Sequence, residues 1–217
     1  MGDSPLANRA PRPVTGSAGG RFDPAPDVRA LATRVEVTTN LDDGPDEDAD
    51  PDRTFDREAG SATFWHAHHV PDLRWALRQA VAAALIETGT ARDGVGYGLG
   101  VLLASDGEVA RLNADWRGRD TPTNVLSWPG EALGPGDPAP AYLGDLAFAY
   151  ATVEREADER GESVHDYLVV LAVHGIAHCL GHDHPDAREA ARMERLEARI
   201  LARLGLPDPY AGTEPED

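Results

Sequence analysis

The chain of 217 residues contains no lysine, one cysteine (Cys179) and four phenylalanines. With one cysteine an internal disulfide is excluded, and a reducing compartment, the cytoplasm, is the expectation. No apolar run approaches the roughly 20 residues needed to span a bilayer, so no membrane partner is expected. The first stretch, "MGDSPLANRAPRPVTGSAGG", shows no apolar core of a secretory signal. The missing lysine means that all 20 basic residues are arginines, set against 38 acids for a net charge of −18. The acid is not confined to a tail. Residues 1–62 hold 13 acids against 7 arginines, and residues 63–208 hold 22 against 13. Bulk electrostatics therefore argue against general nucleic-acid binding, and any contact with RNA has to rest on a local site.

What is present suffices for one domain with tails, at 41% hydrophobic residues. Residues 1–62 read as an N-terminal extension, largely disordered and rich in Pro, Gly, Ala and Arg. Within it one strand is expected near 34–40 ("VEVTTN"), followed by the acidic loop "LDDGPDEDADPD". The folded domain is expected over 63–210, and 211–217 as a disordered acidic tail. Inside the domain, "DLRWALRQAVAAALIETG" spaces its apolar residues as an amphipathic helix stopped by Gly89. "VGYGLGVLLA" is a strand, and Ser105 with Glu108 has the spacing of a capping box for the helix after it. "TNVLSW" and "YLGDLAFAY" are short strands, 151–160 a charged helix, and Ser163 caps a helix through "VHDYLVVLAVHGIAHCL". A last helix runs from about Pro185 to Leu204. Strands and helices mix without strict alternation, which predicts a single α/β domain of α+β type. Its small mixed sheet packs with helices around a central, buried, metal-binding helix, in a metalloprotease-like arrangement.

That central helix runs into "HGIAHCLGHDH", residues 174–184. Residues four apart on a helix share one face, so His174 and His178 both reach one ion. Gly181 suits the left-handed turn that ends a helix, after which His184 returns as a third ligand. Three histidines with a fourth position open make the donor set of a catalytic zinc site, one ion per chain. His182 faces elsewhere on the turn, Cys179 is read as a small buried hydrophobe, and the cluster "HAHH" at 66–69 as a surface loop. Zinc proteases with this spacing carry a glutamate base after the first histidine. Gly175 stands there instead, so peptide hydrolysis by that route is not expected. Asp183 either serves as a base or orients His184 from behind, and its spacing favours orientation.

The sequence resembles the bacterial YbeY family of endoribonucleases and rRNA maturation factors. "HGIAHCLGHDH" is similar to the family's zinc motif, "LNADWRGRDTPTNVLSWP" (112–129) to its second signature, and "LGDLAF" (143–148) to its third. The ending "LGLPDPY" also fits. The resemblance implies a zinc-dependent, single-strand-acting endoribonuclease working in 16S rRNA 3′-end maturation and ribosome quality control. Its partners would then be rRNA and the small ribosomal subunit. It implies that His174, His178 and His184 hold the metal and that Arg117 is the residue tied to activity, with Arg119 where many members carry lysine. His182 stands at a commonly aromatic position, Trp128 at a common Phe, and the extension through about residue 62 lies outside the pattern.

The chemistry of the second segment runs the same way. A guanidinium holds two phosphate oxygens at once, and "WRGRD" sets Arg117 and Arg119 around a glycine at a helix end. The alternative is that both pair with Asp115 and Asp120 at the surface. Two other functional readings stand beside the nuclease: a ribosome-assembly factor with structural zinc, and a metalloprotease with its base from elsewhere.

Overall fold

In the computed structural model, which describes residues 22–39 and 73–211, the apolar run that precedes the histidines is the most deeply buried helix. The elements are α1 (Pro26–Ala32), β1 (Val35–Thr39), α2 (Leu73–Thr88), β2 (Tyr97–Ala104), α3 (Asp106–Arg117), β3 (Val125–Pro129), β4 (Tyr142–Ala149), α4 (Tyr150–Arg160), α5 (Val164–Cys179) and α6 (Ala187–Arg203). The strands form one mixed sheet in the order β1-β2-β4-β3. β1, β2 and β4 run parallel, with Val37 opposite Leu99 and Val101 opposite Leu146. β3 closes the edge antiparallel to β4, with Trp128 opposite Asp145. The expected α/β domain with a small mixed sheet and a buried central helix is what forms.

Side-chain alternation along the strands divides the apolar residues between two faces. Val35, Val37, Leu99, Val101, Leu103, Leu146 and Phe148 point inward and meet α2, α5 and α6 in the main core. Ala104, Leu126, Ala147 and Ala149 point outward and make a smaller cluster with Val109 of α3, flanked by Leu112 and Trp128. α5 is buried from Tyr167 through Ala177, as an all-apolar helix must be in water. α6 is amphipathic and turns Met193, Leu196, Ile200 and Leu201 inward. The caps expected from sequence form. The Ser105 hydroxyl accepts from the Glu108 N–H and the Glu108 carboxylate accepts from the Ser105 N–H, while the Ser163 hydroxyl accepts from the Asp166 N–H.

The domain boundary expected at residue 62 does not follow the fold. Val28, Ala32, Val35 and Val37 belong to the main core, and β1 is a strand of the same sheet. The segment before α1 is tied to the far end of the chain, where the Asp23 and Ala25 N–H groups donate to the Leu204 and Arg203 carbonyls at 2.9 Å. α1 escapes a composition-based reading because it is seven residues long, opens on Pro26 and has only Val28 and Ala32 buried. It is stabilised by tertiary packing rather than by its own propensity. The acidic loop, the "HAHH" cluster and residues 212–217 lie outside the described residues.

Two contacts hold the histidine end of α5 in place. Gly175 lies so close to β4 that a Cβ there would sit 2.6 Å from Leu146 Cδ2. Gly181 has φ +84°, and a Cβ there would fall 2.6 Å from the Leu133 carbonyl oxygen in the loop between β3 and β4. At a distance from this end, Glu87 joins α2 to α6 by accepting from Arg199 Nε at 2.6 Å and Arg203 Nε at 2.7 Å. Arg203 also reaches Asp27 at 3.1 Å. Burial pushes the Glu87 carboxyl up, but the hydrogen bonds from Arg203 and Arg199 outweigh it and hold the group below its ordinary value.

Gly181→Ala combines a disfavoured φ with a backbone clash and is expected to lose about 1–3 kcal/mol of stability, read as a lower urea midpoint. The stabilising effect of Glu87 is fully present above its unfolded pKa of about 4.3 and is lost as pH falls through the lower folded value. Urea titrations are therefore expected to show Glu87→Gln less stable than the parent at pH 7, with the gap closing as pH drops below about 4.

Candidate metal centre

The last turn of α5 presents His174 and His178 on one face, and the chain turns at Gly181 to bring back His184. One ring nitrogen from each of the three lies within 4.8 Å of the others. His174 and His184 are buried and His178 is half-buried. Ring centroids are separated by 4.7, 5.4 and 5.0 Å. This is the set expected from sequence, and the helix places it because positions four apart share a face.

The hydrogen-bond partners assign the tautomers. His178 Nδ1 stands 2.9 Å from the His182 carbonyl oxygen, which only accepts, so Nδ1 carries the proton. His174 Nδ1 stands 2.7 Å from the Glu197 carboxylate and donates in the same way. In the form that binds a metal both Nε2 atoms carry lone pairs, and they face one another at 3.2 Å. His184 Nε2 is also buried and has no hydrogen-bond partner. Burial and the neighbouring His174 and His184 push the His178 ring down to about 3. Burial and then His174 lower His184 as well. Three imidazoles that converge on one point fit a divalent cation that takes nitrogen ligands.

Behind His174 stands a group that the sequence reading missed. Glu197, on α6, is 1% exposed. One of its oxygens takes the His174 N–H and the other accepts from the Tyr210 hydroxyl. Burial, then the Glu197 charge, raises the Tyr210 pKa well above its ordinary value, so the hydroxyl remains a donor. The signal was available: Glu197 interrupts the apolar stripe of Met193, Leu196, Ile200 and Leu201. A carboxylate at such a position needs a partner.

Asp183 contacts His184 through the backbone rather than through the ring. Its carboxylate accepts from the His184 backbone N–H at 2.8 Å, and it lies 3.9 Å from His178 Nδ1. A short side chain one residue away closes the backbone turn more readily than it reaches a ring. His182 is outside the cluster, as expected. Cys179 is buried, and burial pushes its thiol up to about 12, so it stays an inert hydrophobe.

The position of the absent glutamate is closely packed. A Cβ at position 175 would sit 2.6 Å from Leu146 Cδ2, so a side chain there requires Leu146 to shift. Arg117 is not on the histidine helix. It ends α3, half-buried, and Arg119 follows it, exposed. Their turn is pinned where Asn113 Nδ2 donates to the Thr121 carbonyl at 2.8 Å. α3 covers the outer face of the sheet, whereas α5 packs on the inner face. The chain leaving Arg119 enters β3, the edge strand that runs beside α5.

The family model for Endoribonuclease YbeY matches residues 67–205, a span that contains all three histidines and both arginines. An Endoribonuclease YbeY from Rhodopseudomonas palustris (strain BisA53) is 50% identical over 140 residues, covering 63% of this chain and 78% of the relative. That of strain ATCC BAA-98 / CGA009 is 46% identical over 175 residues, 76% of this chain and 91% of the relative. That of Jannaschia sp. (strain CCS1) is 49% identical over 122 residues, 52% of this chain and 76% of the relative. No helix among the described residues is long and apolar enough to cross a membrane. With the family model spanning more than half of its length, the chain belongs to the Endoribonuclease YbeY family.

Proposed function

We propose that this chain is a zinc-dependent endoribonuclease that cleaves single-stranded RNA, acting in 16S rRNA 3′-end maturation and ribosome quality control in the cytoplasm. Its partners on this reading are rRNA and the small ribosomal subunit. The observation that carries the proposal is the convergence of His174, His178 and His184 on one point in a member of an endoribonuclease family.

His174, His178 and His184 would hold one zinc ion. When bound, zinc supplies Lewis-acid charge beside a phosphate and favours deprotonation of nearby water. The other steps belong to the chain and the RNA. The Arg117 guanidinium binds two oxygens of the scissile phosphate and offsets the charge that builds up there. Arg119 binds the neighbouring backbone. Asp183 holds the turn that presents His184. Gly175 leaves no carboxylate base on the helix, and both water and the RNA 2′-hydroxyl stand as nucleophiles that the product ends separate. Attack by the 2′-hydroxyl would leave a 2′,3′-cyclic phosphate, whereas attack by water would leave a 5′-phosphate and a 3′-hydroxyl.

A second reading is a ribosome-assembly factor in which zinc only holds structure. One preparation assayed for zinc per chain and for cleavage of a single-stranded rRNA fragment separates the two. His178→Ala is expected to lose both metal and cleavage. Arg117→Ala is expected to keep its metal and lose about 10²–10³-fold in rate, the size of one charge-stabilising contact. Cleavage unchanged in His178→Ala would overturn the metal-nuclease reading, and ribosome association without any cleavage would favour the assembly factor.

A further inference from the structure

Glu197 is a buried acid whose two oxygens are both occupied, and the two donors come from distant parts of the chain. His174 Nδ1 reaches one oxygen at 2.7 Å from α5. The Tyr210 hydroxyl reaches the other from the segment after α6. His174 and Glu197 have side chains only 4% and 1% exposed, so water does not compete for this bond.

We propose that Tyr210 and Glu197 are positioning residues for the metal centre. Together they fix the His174 tautomer, aim its Nε2 lone pair at the ion, and make that imidazole a stronger donor. The inference rests on the reading of the three histidines as a metal site. Three considerations support it.

Glu197 lies in a stripe of α6 that is otherwise apolar, where burying a carboxylate is costly unless its charge is compensated. A cation held through His174 supplies that compensation, along a carboxylate–imidazole–metal line. Second, the hydrogen bond to Glu197 permits only one tautomer of His174 to face the cluster with a lone pair, so the ring is set before any ion arrives. Third, Tyr210 occupies one carboxylate oxygen, which leaves the other directed at His174 alone. On this arrangement the C-terminal segment through Tyr210 is part of the metal centre, although it contributes no ligand.

The test is metal affinity, measured on full-length protein by competition with a chromophoric chelator, for Zn²⁺ and for Co²⁺. Thermal melts of the metal-free proteins are run alongside. Glu197→Gln keeps the size of the side chain and is expected to bind metal about 10–100-fold more weakly than the parent. Tyr210→Phe is expected to weaken binding by a smaller factor. Metal affinity unchanged in Glu197→Gln, with only a lower metal-free melting temperature, would overturn the proposal and leave Glu197 a structural residue. If Glu197→Gln does not fold, Tyr210→Phe decides, and parental affinity in that variant overturns the relay. A parent chain that binds neither ion removes the metal site itself. A parent that binds zinc yet cleaves no RNA leaves the relay standing and counts only against the nuclease reading.

Discussion

Two imidazole lone pairs held 3.2 Å apart in a buried site repel each other unless a cation lies within reach of both. Much of the surrounding structure serves to keep them there. The His182 carbonyl and the Glu197 carboxylate take up the Nδ1 protons and so turn both Nε2 atoms toward the same point. Burial lowers the pKa of the His178 and His184 rings, which preserves a lone pair on each of those two. The cost of that concentration of polar groups is offset elsewhere in the core, by a helix that is apolar on every side before it reaches the first ligand.

A mount of this kind has to be rigid, and its rigidity comes from close approach. Gly175 lets α5 settle onto β4 against Leu146, and Gly181 lets the chain turn beneath the loop at Leu133. A larger residue at position 175 would have to displace Leu146. Chemistry and packing are therefore coupled at one position. With glycine at position 175 the helix approaches the sheet closely, and the site has metal ligands but no carboxylate beside the first of them.

Charge poses the opposite problem. The chain carries −18 overall, and RNA is a polyanion, so long-range attraction does not favour their meeting. On the proposed function, recognition depends on short-range contacts: a cation at the histidines and guanidiniums at Arg117 and Arg119. Arginine suits that task better than lysine, because its planar fork holds a phosphate by two hydrogen bonds. The arginines of α6 are partly engaged in the fold itself, as Arg199 and Arg203 show at Glu87.

Periodicity, caps and ligand spacing are local properties, and the sequence by itself determined the elements that depend on them. The α5 helix, the Ser105 and Ser163 caps, the turn at Gly181 and the grouping of His174, His178 and His184 all follow from residues within about a dozen positions of one another. What only the tertiary structure decided involves contacts between distant segments. α1 and β1 join the core through residues that look like part of a disordered extension, because seven helical residues are stabilised by docking rather than by propensity. Glu197 reaches His174 across 23 positions and meets Tyr210 from the other side. Asp183 turned out to hold the backbone rather than a ring. The reason Gly175 is glycine lies in Leu146, on a strand whose position no helical pattern reports. Sequence spacing specifies which ligands share a face, and three-dimensional packing specifies what stands behind them and what they exclude.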